Sequence, residues 1–183
     1  MATKVLLRAE DLEGLQHRVG RRLELIKGEL HEVTVTIRHT ATAMHMGHLF
    51  QTWNDTARAG SVLGDAGFTL ERSPDTVRAP DVCFIRKGRL SGVNTRRGYP
   101  EMAPDLVVEV RSPNDTWADL RRKAEQFIER GTQLVVIVEP DKHIELIRPG
   151  QPPHRLQLDD VFEAADIMPG FSCRVRDFFP EEL

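Results

Sequence analysis

The sequence predicts an α/β fold, a central mixed β-sheet flanked by helices, in one domain over residues 1–183. Three observations carry this. The core order is helix, strand, strand, strand, helix, strand, ending in the continuous apolar run QLVVIVEP at 133–140, the pattern of a strand covered on both sides. The strand–helix–strand unit at 105–139 has the make-up of a right-handed parallel crossover. The 183 residues are 40% hydrophobic and 29% charged, enough for one real core in an ordinary globular chain.

Each element has a local reason. Leu12 and Leu15 suit a short amphipathic helix over 9–17. RLELIKGELHEVTVTI (22–37) reads as a hairpin of two alternating strands joined at Lys27-Gly28, with glycine supplying a positive φ. From about 40 to 58, Met46, Leu49, Phe50, Trp53 and Ala57 share one helical face, and Gly60 stops that helix. GFTLE (67–71), the turn SPDT (73–76) and VRAPDVCFI (77–85) read as a second hairpin. Residues 86–103 form a long polar loop, a kind often functional. The helix at 115–130 has Ser112, Asn114 or Asp115 as cap candidates and Gly131 at its C′ position. Trp117, Leu120, Ala124, Phe127 and Ile128 give it a face to bury. HIELIRP (143–149) pairs back across a turn at Asp141, and the tail carries short strands and a Pro169-Gly170 turn. The core thus spans about 40–140, with an N-terminal hairpin at 22–37 and C-terminal strands at 143–183.

The net charge of −3 and pI of about 6.2 exclude a wholly cationic surface, so nucleic-acid binding must rest on local sites such as NTRRG (94–98) or LRRKAEQ (120–126). Cys83 and Cys173 lack metal-site spacing and read as buried free thiols of a reducing compartment. The apolar run VLL near the N-terminus is too short for a signal peptide or a membrane span. A cytoplasmic protein with no membrane association is expected.

The chemistry concentrates in APDLVVEVRSPND (103–115). By strand parity, Leu106, Val108 and Val110 face one way; Asp105, Val107, Glu109 and Arg111 face the other. A carboxylate inside an apolar strand is costly without a cation or hydrogen bonds. If the strand entered by Asp81 is its neighbour, Asp81 and Glu109 converge. Two carboxylates, a backbone carbonyl and waters suit Mg²⁺, which can hold a phosphate oxygen and acidify an attacking water.

APDV (79–82), DLVVEV (105–110) and a following helix with Lys123 resemble the PD-(D/E)XK nuclease superfamily. Within it the match is to the widespread bacterial restriction-endonuclease-like family often called Uma. LELIKGEL (23–30), His39, PDLVVEVRSP (104–113), Asp119, Lys123 and Gly131 continue the family pattern in order, over about residues 22–148. The resemblance implies a restriction-endonuclease-like sandwich and a metal-dependent endonuclease acting on DNA. Asp81 and Glu109 would hold Mg²⁺ or Mn²⁺, and Lys123, with Arg111 in reserve, would orient water or stabilise charge. His39, Asp105 and Asp119 are accessory candidates. A homodimer is expected, because double-strand cutting needs two sites and the N-terminal hairpin offers an edge to share. The chain departs from the pattern at Arg111, where the superfamily has lysine, and at Phe127, Val136 and Glu139, usually Tyr, Trp and Asp.

Plainer readings stand beside these. Asp81 and Asp105 follow prolines at strand starts and could simply form bends. Glu109 could make a structural ion pair with Arg111 or Lys123, and Lys123 could be solvated. His45 and His48 lack a third ligand by spacing. TRRG could touch phosphates or be a solvated charge run. A binding or regulatory module without turnover is the rival to the nuclease, motivated by the missing strand lysine and the acidic net charge.

Overall fold

The computed structural model describes residues 5–19 and 22–181, and the side chains of all of these except 16–19. The sequence reading of residues 1–4 and of the last two tail positions lies outside them. Three α-helices run through it: α1 (Ala9–Val19), α2 (Ile37–Ala57) and α3 (Trp117–Glu129). The strands are β1 (Leu23–Ile26), β2 (Glu29–Glu32), β3 (Gly60–Gly64), β4 (Phe68–Glu71), β5 (Thr76–Arg78), β6 (Val82–Arg86), β7 (Leu106–Val110), β8 (Leu134–Glu139), β9 (His143–Ile147), β10 (His154–Gln157), β11 (Val161–Glu163) and β12 (Ser172–Arg174).

The main sheet has six strands in the order β10-β9-β8-β7-β6-β3. Only β7 and β8 pair in parallel, joined through α3 as expected; the other neighbours are antiparallel. Strand parity decides which face each side chain meets. Leu106, Val108 and Val110 join Met46 and Phe50 of α2 in one apolar layer, while Val107 joins Leu120, Ala124 and Phe127 of α3 in the other. The tail adds more than loose strands: Phe162, Phe171 and Phe178 meet Phe50 and one another edge-on, at centroid distances of 5.2–6.1 Å.

The expected strand 77–85 is two strands in two sheets. Pro80 has no N–H to give a ladder, so pairing stops at Arg78 and resumes at Val82. β5 stays with β4, and β1 pairs with it at Leu25↔Val77. The N-terminal hairpin is therefore half of a four-stranded sheet, β2-β1-β5-β4. Its outer edge, β2, exposes Glu29, His31 and Glu32, side chains that discourage edge-to-edge pairing.

Strand β3 was not expected at all, because its flanking glycines read as a helix stop. What ends α2 is Arg58, in the left-handed region at φ 48°, with Asn54 behind it. The Asn54 side chain accepts from the N–H groups of Ala59 and Gly60 and donates to the Gly60 carbonyl. Leu49 and Trp53 are only partly buried and Ala57 is exposed; the buried stripe of α2 runs through His39, Thr42, Met46, Phe50 and Asn54. Gly47 sits inside this helix, where glycine costs about 0.8–1.0 kcal/mol relative to alanine. Crowding does not demand it: a Cβ there would meet only the Val82 methyls, at 3.8 Å.

Helix α3 is capped by Thr116 rather than the three candidates before it. The Thr116 hydroxyl accepts from the Asp119 N–H at 3.1 Å, while Asp115 is occupied by the Ser112 N–H at 2.7 Å. Leu120, Ala124 and Phe127 are buried as expected. Trp117 is only partly buried; it stacks on His143 beneath the guanidinium groups of Arg111, Arg121 and Arg155.

Candidate active site

The break at Ala79-Pro80-Asp81 places Asp81 where the chain passes from one sheet to the other. Val82 pairs with Val108, so Asp81 stands beside the end of β7. Its Oδ2 accepts from the Val110 N–H at 2.7 Å and lies 3.2 Å from His39 Nε2; its Oδ1 accepts from Arg22 at 2.9 Å. Burial alone would raise its pKa, but the hydrogen bond and charge of His39, with Arg22 and Lys123, hold it at about 2.

Glu109 lies on the α3 side of β7, 3% exposed. Lys123 rises from α3, and its Nζ lies 2.9 Å from Glu109 Oε2 and 2.8 Å from Glu24 Oε1. The structural ion pair weighed for Glu109 therefore exists, but it leaves Glu109 undersupplied. Among the described residues, Oε1 of Glu109 is buried with no hydrogen-bond partner. Burial pushes the Glu109 carboxyl up to about 8; Lys123 opposes the rise, while Asp81 and Glu24 add to it. Lys123 itself moves upward: burial would lower it, and Glu109 and Glu24 overcome that. It is an ammonium at neutral pH, not a base.

Glu24 was missed by the sequence reading. It is 4% exposed in β1, accepts from Ala79 N–H at 3.0 Å and from Arg78 at 2.8 Å, and shares Lys123. Its carboxyl is held at about 2, because Lys123 and Arg78 outweigh the effect of burial. Arg78 continues to Gln126 of α3 at 2.7 and 2.9 Å, tying the two sheets to the helix. The available signal was the one that marked Glu109, an acid between apolar strand residues, here in Leu23-Glu24-Leu25.

Glu24, His39, Asp81, Glu109 and Lys123 line one cavity of about 960 Å³, with Asp119 also on its wall. The other candidates lie elsewhere or do other work. Arg111 follows the end of β7, where its guanidinium binds Glu139 at 2.6 Å and the Asp115 carbonyl at 3.1 Å. Asp105, at the opposite end of β7, accepts from the Arg86 N–H at 2.9 Å and pairs with Arg89 at 2.8 Å. Asp119 accepts from the Thr116 hydroxyl at 2.6 Å and pairs with Arg122. His45 binds the Asp177 carbonyl at 3.0 Å. Asn94, Arg97 and Gly98 of the NTRRG loop line a separate cavity with Glu10, Arg72 and Glu101.

Comparison with known proteins agrees with this architecture. The family model described as "Uma2: Putative restriction endonuclease" matches residues 9–176. The chain belongs to the Uma2 family. A solved structure, titled as a putative nuclease belonging to DUF820 from Anabaena variabilis ATCC 29413, superposes with a TM-score of 0.74 at 18% identity. The match covers 86% of this Uma2 chain and 89% of that one, and shows a shared fold. No curated protein matches the chain. No helix among the described residues is long and apolar enough to cross a membrane.

The Uma2 residues at this site fit a hard divalent cation. A carboxylate offers about four acceptor sites. Among the described residues Asp81 receives three contacts, from Arg22, His39 and Val110, and Glu109 only one, from Lys123. No group of three or more His, Cys, Asp and Glu side chains forms a ready-made cage among the described residues. Mg²⁺ does not require one, since it binds through one or two carboxylates and keeps several waters.

Proposed function

We propose that this protein is a Mg²⁺- or Mn²⁺-dependent endonuclease that hydrolyses phosphodiester bonds in DNA. The observation that carries the reading is Glu109: a buried carboxyl, beside Asp81 and Lys123, with one oxygen left without a partner. Membership of the Uma2 family supports the nuclease class.

Asp81 and Glu109 would hold the ion. Bound there, Mg²⁺ or Mn²⁺ supplies Lewis-acid polarisation of the phosphate and a more acidic water. Lys123, positively charged at neutral pH, donates to the attacking water or to a phosphate oxygen and stabilises the developing negative charge. It does not take the proton. Glu24 fixes where Lys123 sits, and His39 and Arg22 keep Asp81 ionised and oriented. Arg111, spent on Glu139, takes no part.

The test is cleavage of plasmid and single-stranded DNA with Mg²⁺ or Mn²⁺, comparing wild type with Asp81→Asn. Metal-dependent cleavage lost in the variant supports the reading. DNA binding without cleavage by the wild type would mean a binding module on this fold.

A further inference from the structure

Asp81 and His39 belong to two cavities at once. They line the acidic cavity already described, and a second groove of about 690 Å³ between α2 and β3. The groove differs in character. Its walls include Ala43, Met44, Val62 and Leu63, with Gln51 and His48 as polar groups. Met44 is 72% exposed there, an apolar side chain left in water beside a buried charged site.

Two independent features mark the groove as a place kept open. Gly47 lines it, inside a helix where glycine is unfavourable and where nothing crowds a side chain. Any larger residue at 47 would project into space the groove now has. The other feature is Arg22, which also lines the groove. Its guanidinium binds Asp81, Asp65 and the Ala79 carbonyl, yet its Nε is buried without a partner. A phosphate oxygen at the junction of the two cavities would supply the missing acceptor, in a charge-assisted bond.

We infer that this groove binds the nucleoside next to the cleaved phosphate, with its base unstacked between the α2 and β3 walls and its phosphate on Arg22. The inference rests on the nuclease reading and narrows it. A base inside a continuous duplex is stacked and paired, and must be flipped out at a cost to enter such a groove. An unpaired base enters freely, and an apolar-walled slot accepts any base face. The preferred substrate is therefore a single strand or an unpaired end, not uninterrupted duplex.

The test is fluorescence anisotropy with a labelled single-stranded DNA oligonucleotide and with the same oligonucleotide annealed to its complement, in Ca²⁺. Wild type, Gly47→Leu and Met44→Ala are compared, with circular dichroism and thermal unfolding as checks on folding. The single strand is expected to bind about tenfold more tightly than the duplex. Gly47→Leu, which fills the groove and favours the helix, should lose that preference, and the exposed Met44→Ala should weaken single-strand binding without altering the fold. Equal binding of both DNA forms, or wild-type affinity in both variants, overturns the groove assignment. If Mg²⁺-dependent duplex cleavage persists in that case, the nuclease reading survives alone. Failure to bind or cleave either form overturns both.

Discussion

Lys123 holds two buried carboxylates apart, Glu24 and Glu109, and its removal should act on stability as well as on chemistry. Lys123→Ala leaves both acids without their shared ammonium, and breaking a buried pair in this way costs about 3–5 kcal/mol. Cleavage should vanish, and the urea midpoint should fall. Arg111→Ala, which removes a cation bound to Glu139, should leave cleavage near wild type. A dead Arg111 variant beside an active Lys123 variant would move the catalytic cation back to the strand. Glu109 gives a pH signature. Its folded pKa, about 8, lies above that of the unfolded chain, so its contribution to stability is complete below about pH 4.3. That contribution declines as pH rises toward and through 8, where the unfolded state sheds its proton first. Glu109→Gln should flatten this decline in metal-free protein and unfold at a higher temperature than wild type near pH 8. Parallel melting-temperature profiles from pH 5 to pH 9 for the two proteins would contradict this.

The elements differ in how far local sequence reveals them. α3, β7, β8 and β9 were legible because each carries its own period, its own turn or both. Phe127 is fully buried against the main sheet, and Phe127→Ala should cost about 3–5 kcal/mol in a denaturation experiment; an unchanged midpoint would contradict the packing. The split of 77–85 had a visible cause in Pro80, but which sheet each half joins depends on pairings with β1 and β7. β3 was hidden, because a glycine-flanked SVL carries too short a pattern to separate strand from helix stop. Asp81, Glu109 and Lys123 stood out by residue type and parity. Glu24 did not, since in an isolated hairpin an alternating acid faces water, and only the second sheet buries it. Arg22 and Arg78 reach partners 59 and 48 residues away, a relation no local pattern contains.

At the scale of the whole molecule, the two sheets meet at one peptide segment, and the site lies at that junction. Glu24 comes from the four-stranded sheet, Glu109 from the six-stranded one, Asp81 from the chain between them, His39 from α2 and Lys123 from α3. An ion bound by Asp81 and Glu109 ties the segment between the sheets to the main sheet and should stabilise the entire fold by mass action. At a hundredfold excess over its Kd the gain is about 2.7 kcal/mol, a rise of roughly 5–10 °C in melting temperature for a chain of this size. Mg²⁺ should produce this shift in wild type and not in Glu109→Gln. The most direct test of the account is a crystal grown with Mn²⁺ and measured for anomalous scattering. The account predicts one anomalous peak in contact with carboxylate oxygens of both Asp81 and Glu109, with Lys123 still beside Glu109. A peak elsewhere, or Mn²⁺-saturated crystals with no peak between these two acids, would contradict it.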